Sequence, residues 1–370
     1  MGNEIYTEIK HHIDKGIKLF NTIKINIQVK SILDSYEINR IDLEVLDEDG
    51  VSQEFREKVE TFVIEINHKL NSEHQYSDMH GEKGWQVFYV YKEIIQYFAN
   101  YESDEKFNFF RGQTNSWELT PSLFRDDYSS LAKCFEETYF KIAAEYPNEI
   151  EYYGYSSDNI MKRAQQLSMM QHYGLPTSLV DITRNPYIAL QFMVGTFNTT
   201  EVSTMRFDLF KIDEVEHAKK NIFIDVIKYS KNKRITAQKG DFLDFDYIYD
   251  IKETDIKKID RIVVDLIVDD PLEKENQESN LNADNDLFKN VLFDEDSDYE
   301  TFFDFTKQSF ANDSQKEKDK QLAVIEMIHK EINKKLKEYF YLEKNLYPDF
   351  FSRIQYLAKR FRDEKKKINF

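Results

Sequence analysis

Three short segments hold an uneven share of the residues that fix backbone and recognise anions. They are FFRGQTNSWELTPSLFR (109–125), QHYGLPTSLVDITRNPYIAL (171–190) and RITAQKGDF (234–242). The chain has twelve Arg against 38 Lys, and Arg111, Arg125, Arg184 and Arg234 lie in these segments. So do Gly112, Gly174 and Gly240 of ten Gly, and Pro121, Pro176 and Pro186 of six Pro. Glycine and proline set tight turns. An arginine kept where lysine is the habit implies planar, two-pronged recognition of phosphate or carboxylate. The competing assignment is an arginine that ties a loop to its own acids.

Other side chains in these segments carry paired readings. His172 and Tyr173 precede Gly174, so they either face a ligand or close a helix. Asp181 either holds a basic group of a site or serves as a buried partner of Arg184. Gln238 either bonds a ligand or packs a strand. Asn185 before Pro186 reads as a helix cap, and Trp117 and Phe124 as core. Cys134 lies in a helical stretch without a basic pair, which predicts an inert thiol. The eight His show no ligand spacing, so no metal site is expected.

The elements that present these residues follow from periodicity. Residues 4–33 carry apolar positions at helical spacing. INRIDLEVL (38–46) alternates as a half-buried strand. DEDG (47–50) is a turn. Ser52 caps a helix bearing Phe55, Val59, Phe62, Val63 and Ile66 on one face. The polar run 71–84 reads as a linker, so residues 1–80 are expected to form a small α/β unit with a regulatory or docking role. A helix from Trp85, a short strand at FNFFRGQ, helices at 131–146 and 156–172, and a strand at 175–183 follow. A helix begins at Pro186. Residues 221–229 and 261–268 read as strands, and 318–342 as a long helix. Helices precede and follow strands without βαβ alternation, which predicts an α+β fold.

Composition narrows the classes. The chain has 370 residues, 41% hydrophobic and 15% aromatic, enough for a sizeable core. One cysteine excludes an internal disulfide framework. The net charge of −18 opposes general nucleic-acid binding. Residues 265–304 hold fourteen acids against two lysines, which predicts an acidic, mobile insertion at about 270–300. Residues 353–367 are basic and read as a solvated helical tail. No apolar run reaches the ~20 residues of a membrane helix, and the first residues lack a signal-peptide core. A cytoplasmic protein without membrane contact is expected.

The three segments, in this order, closely resemble the FRG domain, named for its Phe-Arg-Gly element, here Phe110-Arg111-Gly112. LEKNLYPDFFSRIQYL (342–357) resembles that domain's closing segment. The resemblance runs from about residue 85 to about 360. It implies a mixed-sheet, ADP-ribosyltransferase-like core decorated with helices. It also implies NAD as substrate and transfer of ADP-ribose to a protein or nucleic-acid acceptor. Bacterial toxin–antitoxin and phage-defence systems are the setting it suggests, with an antitoxin or phage-derived protein as partner. On this resemblance Arg111, His172, Asp181 and Gln238 are the catalytic candidates. Arg111, Gly112, Gln113, Tyr173, Thr177 and Thr183 form the cofactor-binding set. The chain departs from the pattern at Ser178 and Ile182, where Arg and Trp are usual. Gln238 stands where many transferases carry Glu. A catalytically silent nucleotide- or protein-binding module is the alternative.

Overall fold

The computed structural model describes residues 2–14, 19–32, 35–48, 50–71, 80–81, 84–100, 105–155, 158–195, 201–225, 233–248, 256–269, 299–346, 354 and 358. The elements run α1 (Gly2–Asp14), β1 (Phe20–Ile32), β2 (Ser35–Val45), α2 (Gln53–Asn71), β3 (His80–Gly81), β4 (Gly84–Trp85), α3 (Val87–Phe98) and β5 (Phe109–Gln113). They continue with α4 (Ser129–Lys133), α5 (Phe135–Glu145), α6 (Ile160–His172), β6 (Leu179–Thr183), α7 (Pro186–Met193), β7 (Met205–Lys211), α8 (Glu214–Lys219) and β8 (Phe223–Ile224). Last come α9 (Lys233–Gln238), β9 (Gly240–Asp244), β10 (Ile259–Val268) and α10 (Tyr299–Glu338). Eight strands form one sheet in the order β2-β1-β10-β7-β5-β6-β9-β8. β1 runs parallel to β10 and antiparallel to β2, so the sheet is mixed and the fold is α+β.

Residues 20–32 correct the expected helical spacing. Ile23, Ile25, Ile27 and Val29 alternate and are fully buried on one face, as a period of two requires. β1 is bonded on both edges. The first 80 residues therefore supply two strands of the common sheet, and the expected boundary does not divide it. α2 adds Phe55, Val59, Phe62 and Ile66 to a core shared with α3, α7, β7 and α10. Ser52 accepts from the Phe55 amide at 3.2 Å, as a cap should. A second core joins α1, α4, α5 and α6 to β6, β8 and β9. Of the expected linker, only 71, 80–81 and 84 are described, as the end of α2 and the β3–β4 hairpin. Residues 270–298 of the acidic insertion, and all but two positions of the basic tail, lie outside the described residues. Among the described residues, no helix is long and apolar enough to cross a membrane.

α3 has no cap of its own. The Val87 amide donates to the Tyr36 hydroxyl and the Phe88 amide to Glu331 Oε1, each at 3.1 Å. β2 and α10 thus complete the end of a helix distant in sequence.

The sheet opens at its sixth strand. β5 pairs with β7 over five couples and β6 with β9 over five. β5 and β6 share only the couple Phe110–Thr183. Beyond it the two strands diverge.

Candidate functional site

Arg111 spans this divergence. Its Nη1 donates to the Asp181 carbonyl oxygen at 2.6 Å, and its Nε to Gln113 Oε1 at 3.1 Å. Burial lowers the Arg111 pKa, and the charges of Asp181 and Asp208 oppose that shift. A guanidinium keeps its charge through such a shift. Nη2 makes no protein hydrogen bond among the described residues and is available to an anion. Gly112 also has a packing task. A Cβ there would lie 1.8 Å from the Ala189 carbonyl oxygen and 2.7 Å from the Met193 nitrogen. The close approach it permits is that of α7, packed on the opposite face of β5. α7 is placed at its start by Asn185, whose Oδ1 accepts from the Tyr187 and Ile188 amides at 3.0 and 3.4 Å.

α6 supplies the next wall. Gln171 Nε2 donates to Asp181 Oδ2 at 2.6 Å, and the Thr177 hydroxyl donates to Gln171 Oε1. Asp181 is exposed, so it is not the buried partner of Arg184. It holds Arg111 through its backbone and offers its carboxylate to the opening. α6 ends at Gly174, whose φ of +97° is the left-handed conformation that stops a helix. The Leu175 amide then bonds back to the Met170 carbonyl at 3.1 Å.

α9 and β9 form the third side. The Thr183 hydroxyl donates to the Gln238 carbonyl at 2.7 Å. Gln238 closes a helix instead of lying on a strand, and Lys239 at φ +48° turns the chain into β9. The Gln238 Nε2 donates to the Leu346 carbonyl at 3.2 Å, which ties the segment after α10 to this wall.

These walls enclose a cavity of about 390 Å³. Arg111, Gly112, Gln113, His172, Asp181, Thr183 and Gln238 all line it. Tyr173 and Thr177 do not. Tyr173 is 63% exposed and faces a separate groove beyond α6. Thr177 is fully buried, spent on Gln171 and on the Leu179 amide. Ile182 lines the cavity, whereas Ser178 is buried with a hydroxyl oxygen that finds no partner among the described residues.

The lining also includes residues outside the expected site set, among them Trp117, Ser168 and Gln171, and Arg125 joins it from the arginine cluster. Trp117 was expected in the core and is 51% exposed, while Phe124 is buried as expected. The polar context TNSWELT, with no apolar period, was the available signal. Asp181 is the single carboxylate among the lining residues. The acids of the third segment point elsewhere. Asp241 is buried against Arg184 Nε at 2.8 Å, and burial pushes its carboxyl up to about 7. Asp244 is buried beside Asp246 and is raised well above the usual carboxylate range, first by burial. Arg184 also grips Glu214 at 2.8 and 3.0 Å and lies over the Phe109 ring, so it belongs to this outer cluster.

The cavity thus combines two guanidinium groups, an imidazole, amides, one carboxylate and one exposed indole. Such a set can hold a polyanion and stabilise one developing positive charge. Residues 106–201 match the FRG domain family, a span that covers β5, α6, β6 and α7 but not Gln238. No curated protein and no solved structure matches the chain.

Proposed function

We propose, from the premise that this chain is an FRG domain-containing protein, that its cavity takes NAD and transfers ADP-ribose to a macromolecular acceptor. The observation that carries this reading is Arg111 bridging the split between β5 and β6, beside the exposed carboxylate of Asp181. Arg111 and Arg125 would hold the pyrophosphate. In the reaction the bond between ribose C1′ and nicotinamide breaks, and its electron pair leaves with neutral nicotinamide. The ribose becomes oxocarbenium-like. Asp181, oriented by Gln171, would oppose that positive charge and accept the proton that the acceptor nucleophile loses on bonding C1′. His172 would donate to the ligand, and Gln113 and Thr183 would hold the wall positions that shape its seat. Gln238 would close the cavity by holding the turn at Leu346. The cellular role attached to this reading is that of a cytoplasmic bacterial toxin or anti-phage effector, with an antitoxin or phage-derived protein as its partner.

A second reading, a catalytically silent binding module, is favoured by one observation: the Gln238 amide is engaged by Leu346, and no glutamate replaces it. Nicotinamide release by purified protein separates the two, with and without cell lysate as acceptor. The transferase reading expects release by the wild type and at least tenfold less by Asp181→Asn, with NAD affinity retained. NAD binding without release by the wild type would establish the silent module. Neither binding nor release would remove NAD from the site.

A further inference from the structure

We infer that Trp117 is a stacking platform for a planar heteroaromatic base of the ligand that enters this cavity. The inference draws the identity of the ligand from the NAD reading, but the platform itself is read from the indole. The chain has two tryptophans, and they differ sharply. Trp85 is 5% exposed and Trp117 51%. An indole carries the largest apolar face of any side chain, and leaving half of it in water at a cavity wall forfeits burial that the fold could have used. The Trp117 Nε1 makes no hydrogen bond among the described residues, and about half of the residue remains open to solvent.

The loop that presents it is held firmly. The Trp117 carbonyl accepts from Gln113 Nε2 at 3.2 Å and from Arg206 Nη1 at 3.1 Å. Arg206 is itself gripped by both oxygens of buried Asp265, each at 2.7 Å. Gln113 also receives Arg111 Nε. One hydrogen-bonded chain therefore runs from the anion-binding guanidinium through Gln113 to the backbone of the indole. A ring anchored this way has little left to lose in ordering when a base lies on it. Phe110 and Phe242, also on the cavity wall, are 2% and 3% exposed and are committed to the two cores. A phosphate-binding fork coupled to an exposed aromatic face is the pairing that nucleotides require.

Fluorescence tests it directly. In Trp85→Phe the only indole is Trp117, and saturable quenching by AMP or by nicotinamide mononucleotide is expected. The two arms report which base of a dinucleotide it takes. In the wild type, iodide quenching gives the same readout, since buried Trp85 is shielded and bound nucleotide should protect Trp117. Trp117→Ala should weaken nucleotide binding roughly 5- to 150-fold, the range for losing one base–aromatic stack, with an unchanged melting temperature. Trp117→Phe should lose less. If NAD binds Trp117→Ala as tightly as wild type, the platform is wrong and the NAD reading stands. If AMP quenches but NAD does not bind, the platform stands and the NAD reading falls. If no mononucleotide or dinucleotide affects Trp117, the inference is overturned.

Discussion

At the residue scale the site turns on groups whose charge is held by geometry. Arg111 keeps its fork aimed by two bonds, one to a backbone carbonyl and one to Gln113. Arg111→Ala should weaken NAD binding about 10- to 150-fold, the equivalent of about 1.5–3 kcal/mol for a charged hydrogen bond. Arg111→Lys should recover little, because an ammonium cannot reach the Asp181 carbonyl, Gln113 and a phosphate together. Calorimetric titration of both variants checks this, with melts to confirm folding. Asp241 gives a second prediction at the same scale. Its folded-state carboxyl is pushed up to about 7, because burial, joined by the negative charges of Asp225 and Glu214, outweighs the attraction of Arg184. Between the ordinary carboxylate value and 7, the folded state holds a proton that the unfolded chain has lost. Stability therefore falls as pH rises through that window, by about 1.4 kcal/mol per unit. Urea unfolding from pH 4 to pH 8 should show wild type losing stability relative to Asp241→Asn, with the gap levelling above pH 7. Parallel curves would refute it.

At the scale of elements, two glycines separate packing from backbone strain. Gly112→Ala sets a methyl against the α7 backbone at 1.8 Å, and a helix cannot yield as a side chain does. A loss of about 3 kcal/mol or more is expected, together with a distorted cavity. Gly174→Ala meets no atom within 4 Å and costs only the left-handed φ, about 1 kcal/mol. Denaturant midpoints of the two variants rank them, and the reverse order would contradict the α7–β5 contact. The elements were legible where punctuation was local. Gly and Pro marked the ends of β5, α6 and α7, and Asn185 and Ser52 cap as their positions implied. β7 was not legible. MRFDLFK buries residues toward both cores, so no alternation reaches the eye. β1 is obscured in the sequence because helical spacing can be read across Gly16 into its period of two. Gln238 was placed on a strand because its helix is only six residues long. Arg111, His172, Asp181 and Gln238, candidates through the family resemblance, all line one cavity. The polar context of Trp117 hints at its exposure, but its anchoring to Arg206 is a tertiary contact that no local pattern encodes.

At the scale of the whole molecule, the cavity depends on contacts far from it. Arg163 of α6 is fully buried and binds Asp246 at 2.8 Å, Glu136 of α5 at 2.6 Å and the Tyr6 hydroxyl of α1 at 2.8 Å. α1 is thereby fixed to the helix that carries Gln171 and His172. β1 lies between β2 and β10, and Ile23, Ile25 and Ile27 share a core with Ile262, Val264 and Leu266. Removing residues 1–84 would strip β10 of β1, leaving it bonded to β7 alone, and open that edge and its apolar face together. An unpaired edge of ten residues rich in Ile and Val is a template for aggregation. It would also leave Glu136 and Arg163 without Tyr6. The fragment 85–370 should therefore fail to give a cooperative melt, and should associate when expressed alone. The full chain with Arg163→Met tests the same coupling more gently. Buried Asp246 and Glu136 lose their cation, and about 3–5 kcal/mol of stability should go with it. A monomeric 85–370 fragment with a cooperative transition, circular dichroism matching the remaining helices and strands, and wild-type affinity for NAD would show the reverse. It would make residues 1–80 a separable docking unit laid against a self-sufficient domain.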